Sequence, residues 1–298
     1  MGWVVIANPH AGSFPGEEAL AGLRMGGHPV ELRLTERAGH GEELAAEAVR
    51  AGVYGVLACG GDGTVGEVVR GLLGSDVPMG LLPAGTGNDF ARTLGLPLTP
   101  VEAALALQTC RPVPIDLLVV RTDDGETHVG LNAAVGGDPA DATGQLDQQT
   151  KRALGPLAFV LGTMEAVGAP NEHDVTIVLS DGHRECGPAV GVVVANGRTV
   201  GGGVRVAPYA DPADGLLEVS VVRVGQLADY ATLAARSVVG EAIEDPLVEH
   251  WPARWVEVSA EPPMPFNLDG ELIGTTPLRI ELKPGALNVL CPPGRFDP

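Results

Sequence analysis

Gly55 to Leu73 reads GVLACGGDGTVGEVVRGLL, an apolar run that passes through a glycine-rich turn into a helical pattern. Val56, Leu57, Ala58 and Cys59 form the short continuous apolar run expected of a strand buried on both faces. Gly60, Gly61 and Gly63 make the turn, and Val65, Val68, Val69, Leu72 and Leu73 then recur at helical spacing as one apolar stripe. The glycines therefore sit at the N-terminus of a helix predicted to start near Thr64. Without Cβ atoms in the way, a polyphosphate can approach the free backbone N–H groups, where the helix dipole also favours an anion. Asp62 would repel phosphate unless a cation or a ribose hydroxyl lay between, so it reads as a metal-network or sugar contact. The same residues also fit a tight strand-to-helix turn with an acidic cap.

Met79 to Leu94, MGLLPAGTGNDFARTL, repeats the plan: an apolar run, a turn with Gly85, Thr86 and Gly87, and a helix from Asn88 or Asp89. Two such turns at the carboxyl ends of neighbouring strands would face one crevice, where open α/β sheets bind ligands. Trp3 to Ala7 and Val30 to Leu34 are further strands, and Gly41 to Ala51 is an amphipathic helix stopped by Gly52. Alternation of this kind implies an α/β fold with a doubly wound parallel sheet. Beyond about Pro114 the rhythm changes. Ile115 to Arg121, Val175 to Leu179, Val190 to Ala195, Leu216 to Val224, Trp255 to Ala260, Leu278 to Leu282 and Asn288 to Cys291 read as strands. Two helical stretches, Lys151 to Val167 and Gln226 to Val239, interrupt them. The expected organisation is an α/β domain over residues 1–118, a mainly β sandwich over 119–287, and a tail, 288–298, set off by the Pro284-Gly285 turn and returning to the first domain.

The chain has 298 residues, enough for two ordinary domains with real cores, and its 38 acidic against 19 basic residues give a net charge of −19. Only Lys151 and Lys283 are lysines, which argues against nucleic acid as a partner and against firm docking on anionic lipid. Cys59, Cys110, Cys186 and Cys291 show no metal or disulfide spacing, which points to a reducing cytoplasm. The opening MGWVVIANPHAG lacks a basic region and is expected to be a strand, not a signal peptide. The longest uncharged apolar candidate, Ala153 to Met164, falls well short of the ~20 residues a spanning helix needs.

GGDGT at Gly60 to Thr64 with Glu67, followed by PAGTGNDFAR at Pro83 to Arg92, resembles the two nucleotide motifs of the diacylglycerol kinase catalytic domain family, which includes bacterial lipid kinases and sphingosine kinases. GGDGT alone is shared with NAD kinases and phosphofructokinases; the second motif is more specific. Asn8, Pro9, His10, Ala11 and Gly12 resemble the family's opening turn, but the chain continues Ser13, Phe14 and Pro15 where the family places a Lys or Arg. The resemblance implies nucleotide contacts from Asn8, Pro9, Gly12, Thr35, Gly60, Gly61, Asp62, Gly63, Thr64, Glu67, Gly85, Thr86, Asn88, Asp89 and Glu271. Arg92 and Arg198 adjoin these motifs, as forked phosphate ligands or as ion-pair partners.

In the β half, Gly136 to Asp138 and KRALGPLAF at Lys151 to Phe159 resemble family stretches near the acceptor, with Pro139 to Thr150 a polar loop between. Asp211, Asp214 and the carbonyl of Leu216 form a hard oxygen set suited to Mg²⁺, although Asp214-Gly215 is also an ordinary turn; the resemblance implies a structural Mg²⁺ there. FNLDGELI, Phe266 to Ile273, reads as a hairpin about Asp269-Gly270 and resembles the family motif whose Asp is the general base. Asp269 is thus expected to accept the proton of the acceptor hydroxyl, with Glu271 in the polar network.

The implied function is a cytoplasmic, Mg²⁺-dependent kinase that transfers the γ-phosphate of ATP to the hydroxyl of a diacylglycerol-like lipid taken transiently from the inner membrane face. The rivals are an NAD kinase or other polyol kinase, and a nucleotide-binding regulator without catalysis.

Overall fold

Val4 to Ala7 and Val56 to Cys59 are each at most 1% exposed, so these two short apolar runs form the centre of a sheet covered on both faces. The computed structural model describes residues 2–25, 27–137, 171–226 and 245–296, with positions 229, 232, 233 and 236. The Asp138 end of the Gly136 motif, the Pro139 to Thr150 loop, the Lys151 to Phe159 motif and most of the helix expected over Gln226 to Val239 lie outside these residues. The chain divides into two compact units, one of residues 1–117 and 283–298, the other of residues 118–282.

The first unit runs β1 (Trp3–Ala7), α1 (Glu17–Ala21), β2 (Arg24–Met25), β3 (His28–Leu34), α2 (His40–Arg50), β4 (Gly55–Gly60), α3 (Asp62–Leu72), β5 (Met79–Pro83), α4 (Asp89–Leu94) and α5 (Pro100–Leu107), with β6 (Arg111–Thr122) leaving it. Its parallel strands are ordered β5-β4-β1-β3, with Trp3 level with both Val30 and Gly55 and Val56 level with Met79. The chain steps from β1 to β3 on one side and resumes with β4 on the other, so the order reverses between β1 and β4. A crevice at the carboxyl ends of these two strands is where such sheets bind ligands. The helix stripe read from Val65, Val68, Val69 and Leu72 is buried, but α3 begins at Asp62. The last turn of the glycine loop thus belongs to the helix.

The second unit continues with β7 (Thr127–Gly130), β8 (Ala133–Gly137), β9 (His173–Leu179), β10 (Arg184–Ala195), β11 (Thr199–Val200), β12 (Val204–Arg205), β13 (Leu217–Arg223), β14 (Val248–Ala253), β15 (Trp255–Glu261), β16 (Pro265–Leu268), β17 (Glu271–Thr275) and β18 (Leu278–Cys291). The long β10 pairs with β9 through Arg184 to Ala189, then with both β8 and β13 through Gly191 to Ala195. It therefore carries the chain from one part of an antiparallel β sandwich to the other. Alternate residues of β9 and β15, among them Val175, Ile177, Leu179, Val256 and Val258, enter a core shared with Val192, Val194, Val219 and Phe266. The expected α/β domain followed by a mainly β sandwich is the fold observed.

Pro284-Gly285 does not end a strand. β18 is continuous from Leu278 to Cys291, because Gly285 takes a positive φ of 57° and its N–H donates to Asp116 Oδ1 at 2.7 Å. Beyond this point Val289 is level with Met79, which adds β18 to the first unit's sheet as a parallel neighbour of β5.

Candidate nucleotide and phosphoryl-transfer site

Three turns of the first unit meet backbone to backbone. The Asn8 N–H donates to Cys59 O at 2.9 Å, the Ser13 N–H to Ala84 O at 2.8 Å and the Ala84 N–H to Gly60 O at 2.9 Å. Gly61 and Gly85 come closest. A Cβ on Gly61 would lie 3.2 Å from Gly85 Cα, and one on Gly85 would collide with Gly61 Cα. The residue types at these positions are therefore required by the approach of one turn to the other.

The polar residues of the motifs hold that approach. Asp62 Oδ2 accepts the N–H of Asn88 at 2.8 Å and its Oδ1 that of Asp89 at 2.9 Å. The residue expected to meet a metal or sugar is thus the brace between the two glycine turns. Asn88, at φ 55°, clamps Gly85 from both sides: its Oδ1 accepts the Gly85 N–H at 3.0 Å and its Nδ2 donates to Gly85 O at 2.7 Å. Asn and Asp tolerate the left-handed region and bond locally through short side chains, which suits them to this turn. Thr64 is buried, its side chain folded over Gly60. Arg92 Nε donates to Gly87 O at 3.1 Å.

Glu67, expected to contact nucleotide, reaches another loop. Its Oε1 accepts the N–H of Gly39 and its Oε2 that of Gly41, each at 2.8 Å. These are orphan donors of the first turn of α2, whose N-cap residue, Gly39, has no side chain to satisfy them. Thr35 lies buried just beyond β3, its N–H bonded to Ala7 O at 2.8 Å, so Glu67 steadies the loop that leads on from Thr35. Gly12, Gly63 and Thr86 are exposed, and a Cβ at Gly12 or Gly63 would meet open space. Pro9 is partly exposed on the Asn8 turn, where the His10 N–H donates to Asn8 Oδ1 at 2.9 Å.

In the second unit Asp269 sits at the tip of the β16–β17 hairpin with φ 51°, followed by Gly270 with φ 93°. Phe266, fully buried, lies over Gly136 and anchors β16 to β8. That pairing delivers the Asp269 carboxylate to three successive N–H groups. Oδ2 accepts from Leu131 at 2.6 Å, and Oδ1 from Asn132 at 2.9 Å and Ala133 at 3.0 Å. Burial pushes the carboxyl above its ordinary range, the N–H groups of Leu131, Ala133 and Asn132 pull it back, and the charge of exposed Glu271 adds to the rise. The net direction is upward, which makes Asp269 a stronger base than a solvated aspartate.

Asp211 and Asp214 share one turn. Asp211 Oδ1 accepts the Ala213 N–H at 3.0 Å and Asp214 Oδ1 the Leu216 N–H at 2.8 Å. Together with the Leu216 carbonyl their carboxylates offer only oxygen donors, the type a hard divalent cation prefers. Among the described residues there is no cluster of three or more His, Cys, Asp or Glu side chains that could hold a metal. Carbonyl and water oxygens would therefore complete any shell at this turn. Arg198 serves its own loop, Nε donating to Ala210 O at 2.8 Å.

Sequence reasoning missed the Glu67 cap, the Asp62 brace and the Leu131 to Ala133 nest, since each joins residues at least 26 apart. The Asn88 clamp alone had a local signal, the Gly-x-x-Asn spacing from Gly85.

Residues 2–120 match the family model described as the diacylglycerol kinase catalytic domain, and residues 132–291 that of the YegS C-terminal NAD kinase beta sandwich-like domain. A Chromohalobacter salexigens protein named "Probable lipid kinase YegS-like" is 34% identical over 98% of this chain and 93% of its own. A protein of the same name from Pseudomonas aeruginosa is 35% identical over 98% of this chain and 94% of its own. A crystal structure from Bacillus anthracis, of a candidate diacylglycerol kinase, superposes with a TM-score of 0.82 at 26% identity, covering 99% of this chain and 98% of that one. Yeast NADH kinase shares the fold alone, with a TM-score of 0.52 and 10% identity over 98% of this chain and 83% of its own. With two successive family models covering most of its length and full-length relatives above 30% identity, the chain belongs to the diacylglycerol kinase catalytic domain family, alongside the YegS-like lipid kinases.

Proposed function

We propose that this protein transfers the γ-phosphate of ATP to the hydroxyl of a diacylglycerol-like lipid, with Asp269 as general base. The observation that carries the reading is the bracing of Gly61 against Gly85 by Asp62 and Asn88, which presents two glycine backbones at one place with no side chain between them. A preorganised backbone of this kind binds polyphosphate without reorganisation.

Phosphoryl transfer passes through a loose transition state, so positioning and charge neutralisation dominate. Gly60 to Thr64 and the Thr86-Gly87 part of the second turn hold the phosphates, with Asn88 and Asp89 bracing that turn from behind and Asn8, Pro9, Gly12 and Thr35 closing the nucleotide side. The acceptor oxygen bonds to the γ-phosphorus as the bridging oxygen leaves with ADP. Asp269 takes the hydroxyl proton at Oδ2, which accepts one N–H where Oδ1 accepts two. Asp211, Asp214 and the Leu216 carbonyl would hold Mg²⁺, which when bound supplies positive charge in the β domain. No helix among the described residues is long and apolar enough to cross a membrane. In this reading the lipid is met from the cytoplasmic side, in transient visits to the membrane surface.

Incubation with γ-labelled ATP, Mg²⁺ and either a total lipid extract or NAD tests the reading. Label is expected in an organic-soluble phospholipid. Transfer to NAD, or tight ATP binding with no transfer to any hydroxyl, would overturn it.

A further inference from the structure

The residues that build the phosphate cradle are acidic or neutral: Asp62 and Asp89 beside Gly60, Gly61, Gly85 and Asn88. A triphosphate brought there needs a counter-charge from the protein. The first turn, Asn8 to Gly12 and on to Ser13, contains no lysine or arginine. Three arginines of the first unit pair with carboxylates of their own surroundings. Arg33 pairs with Glu31, Arg37 with Glu43 and Arg70 with Glu42.

Arg92 differs. It is half-buried on α4, and its side chain runs back toward the start of the helix, as helical side chains do, until Nε donates to Gly87 O at 3.1 Å. That bond ties the guanidinium to the Gly85 to Gly87 turn and fixes its plane. Among the described residues no carboxylate pairs with it, although the chain carries a net charge of −19. An arginine left without an anion in so acidic a protein, and oriented by a single bond from Nε, presents the forked pair of terminal nitrogens that matches two phosphate oxygens.

We infer that Arg92 is a phosphate ligand, its Nε tied to the Gly87 carbonyl and its two terminal nitrogens receiving oxygens of the β- and γ-phosphates of ATP. The inference rests on the kinase reading and adds the cation that the first turn lacks. As the bridging oxygen departs with ADP, the charge gathering on the β-phosphate falls within reach of this guanidinium, so Arg92 acts on rate as well as on affinity.

The test is binding of AMP, ADP and ATP to the full-length protein, its Arg92→Gln variant and its Arg92→Lys variant, with AMP followed by ligand-observed NMR. Arg92→Gln is expected to lower ATP affinity tenfold or more and to leave AMP affinity within twofold, with Arg92→Lys intermediate. AMP binding doubles as the check on folding. Equal ATP affinity in wild type and Arg92→Gln overturns the inference while the kinase reading stands. Equal loss of AMP and ATP in both variants also overturns it, making Arg92 a brace for Gly87. Wild-type protein that binds no ATP sinks both.

Discussion

Gly61 and Gly85 lie on different strands' turns yet stand so close that neither tolerates a Cβ without displacing the other's backbone. The two substitutions are not equivalent. Gly85→Ala drives its methyl into Gly61 Cα, whereas Gly61→Ala sits at 3.2 Å from Gly85 Cα and needs only a small shift. Gly85→Ala is expected to destabilise the protein by about 1–3 kcal/mol and to weaken ATP binding, with Gly61→Ala milder on both counts. Thermal unfolding with and without ATP measures this, and a Gly85→Ala protein that melts and binds like wild type would contradict the packing argument.

Glu67 tests whether a motif residue acts through the fold. Glu67→Ala leaves the Gly39 and Gly41 N–H groups without their acceptor and is expected to cost about 1–3 kcal/mol in urea denaturation. Glu67→Gln keeps one acceptor oxygen and should recover part of that loss. A Glu67→Ala variant of unchanged stability would show that water replaces the carboxylate freely.

Asp269 carries a pH dependence with a definite sign. Its folded pKa lies above the unfolded value of about 3.9, so the protonated form is favoured by folding. The stability it contributes is fully present below that value and is lost as pH rises through the raised folded pKa. On the proposed role of Asp269 as the base, transfer runs the opposite way, because the base must be ionised: the rate should fall on acidification at a pH above the ordinary aspartate range. Asp269→Asn is expected to abolish transfer with ATP affinity nearly unchanged and to remove this inflection from the stability profile. An active Asp269→Asn enzyme would remove Asp269 from the chemistry.

The cysteines should react in an order set by their surroundings. Burial in β4 pushes the Cys59 thiol up to about 12, whereas exposed Cys186 is drawn below its usual value by hydrogen bonds from Arg184 and Thr176. Iodoacetamide at pH 8 should label Cys186 first and spare Cys59 in the native protein. Cys59 also contributes stability that is complete below the unfolded thiol pKa of about 8.5 and is lost as pH rises toward 12. Early labelling of Cys59 would mean that the sheet opens locally.

The alternation of strand, glycine turn and helix was legible in the sequence because each signal is local: an apolar run, absent Cβ atoms and a 3.6-residue stripe all act within one turn of chain. The mainly β second half was legible for the same reason, from short apolar runs and turn residues. Partnership was not. Nothing adjacent to Asp62, Glu67 or Asp269 announces that their carboxylates face backbone N–H groups 26 to 138 residues away. Nor does Pro284-Gly285 reveal that its strand continues, since the Asp116 carboxylate that receives the Gly285 N–H is supplied from β6. Composition and periodicity determined which elements form, because burial and dihedral preference are settled residue by residue. Only the tertiary structure decided which acid meets which amide, because a buried N–H must be satisfied by whatever group packing brings to it.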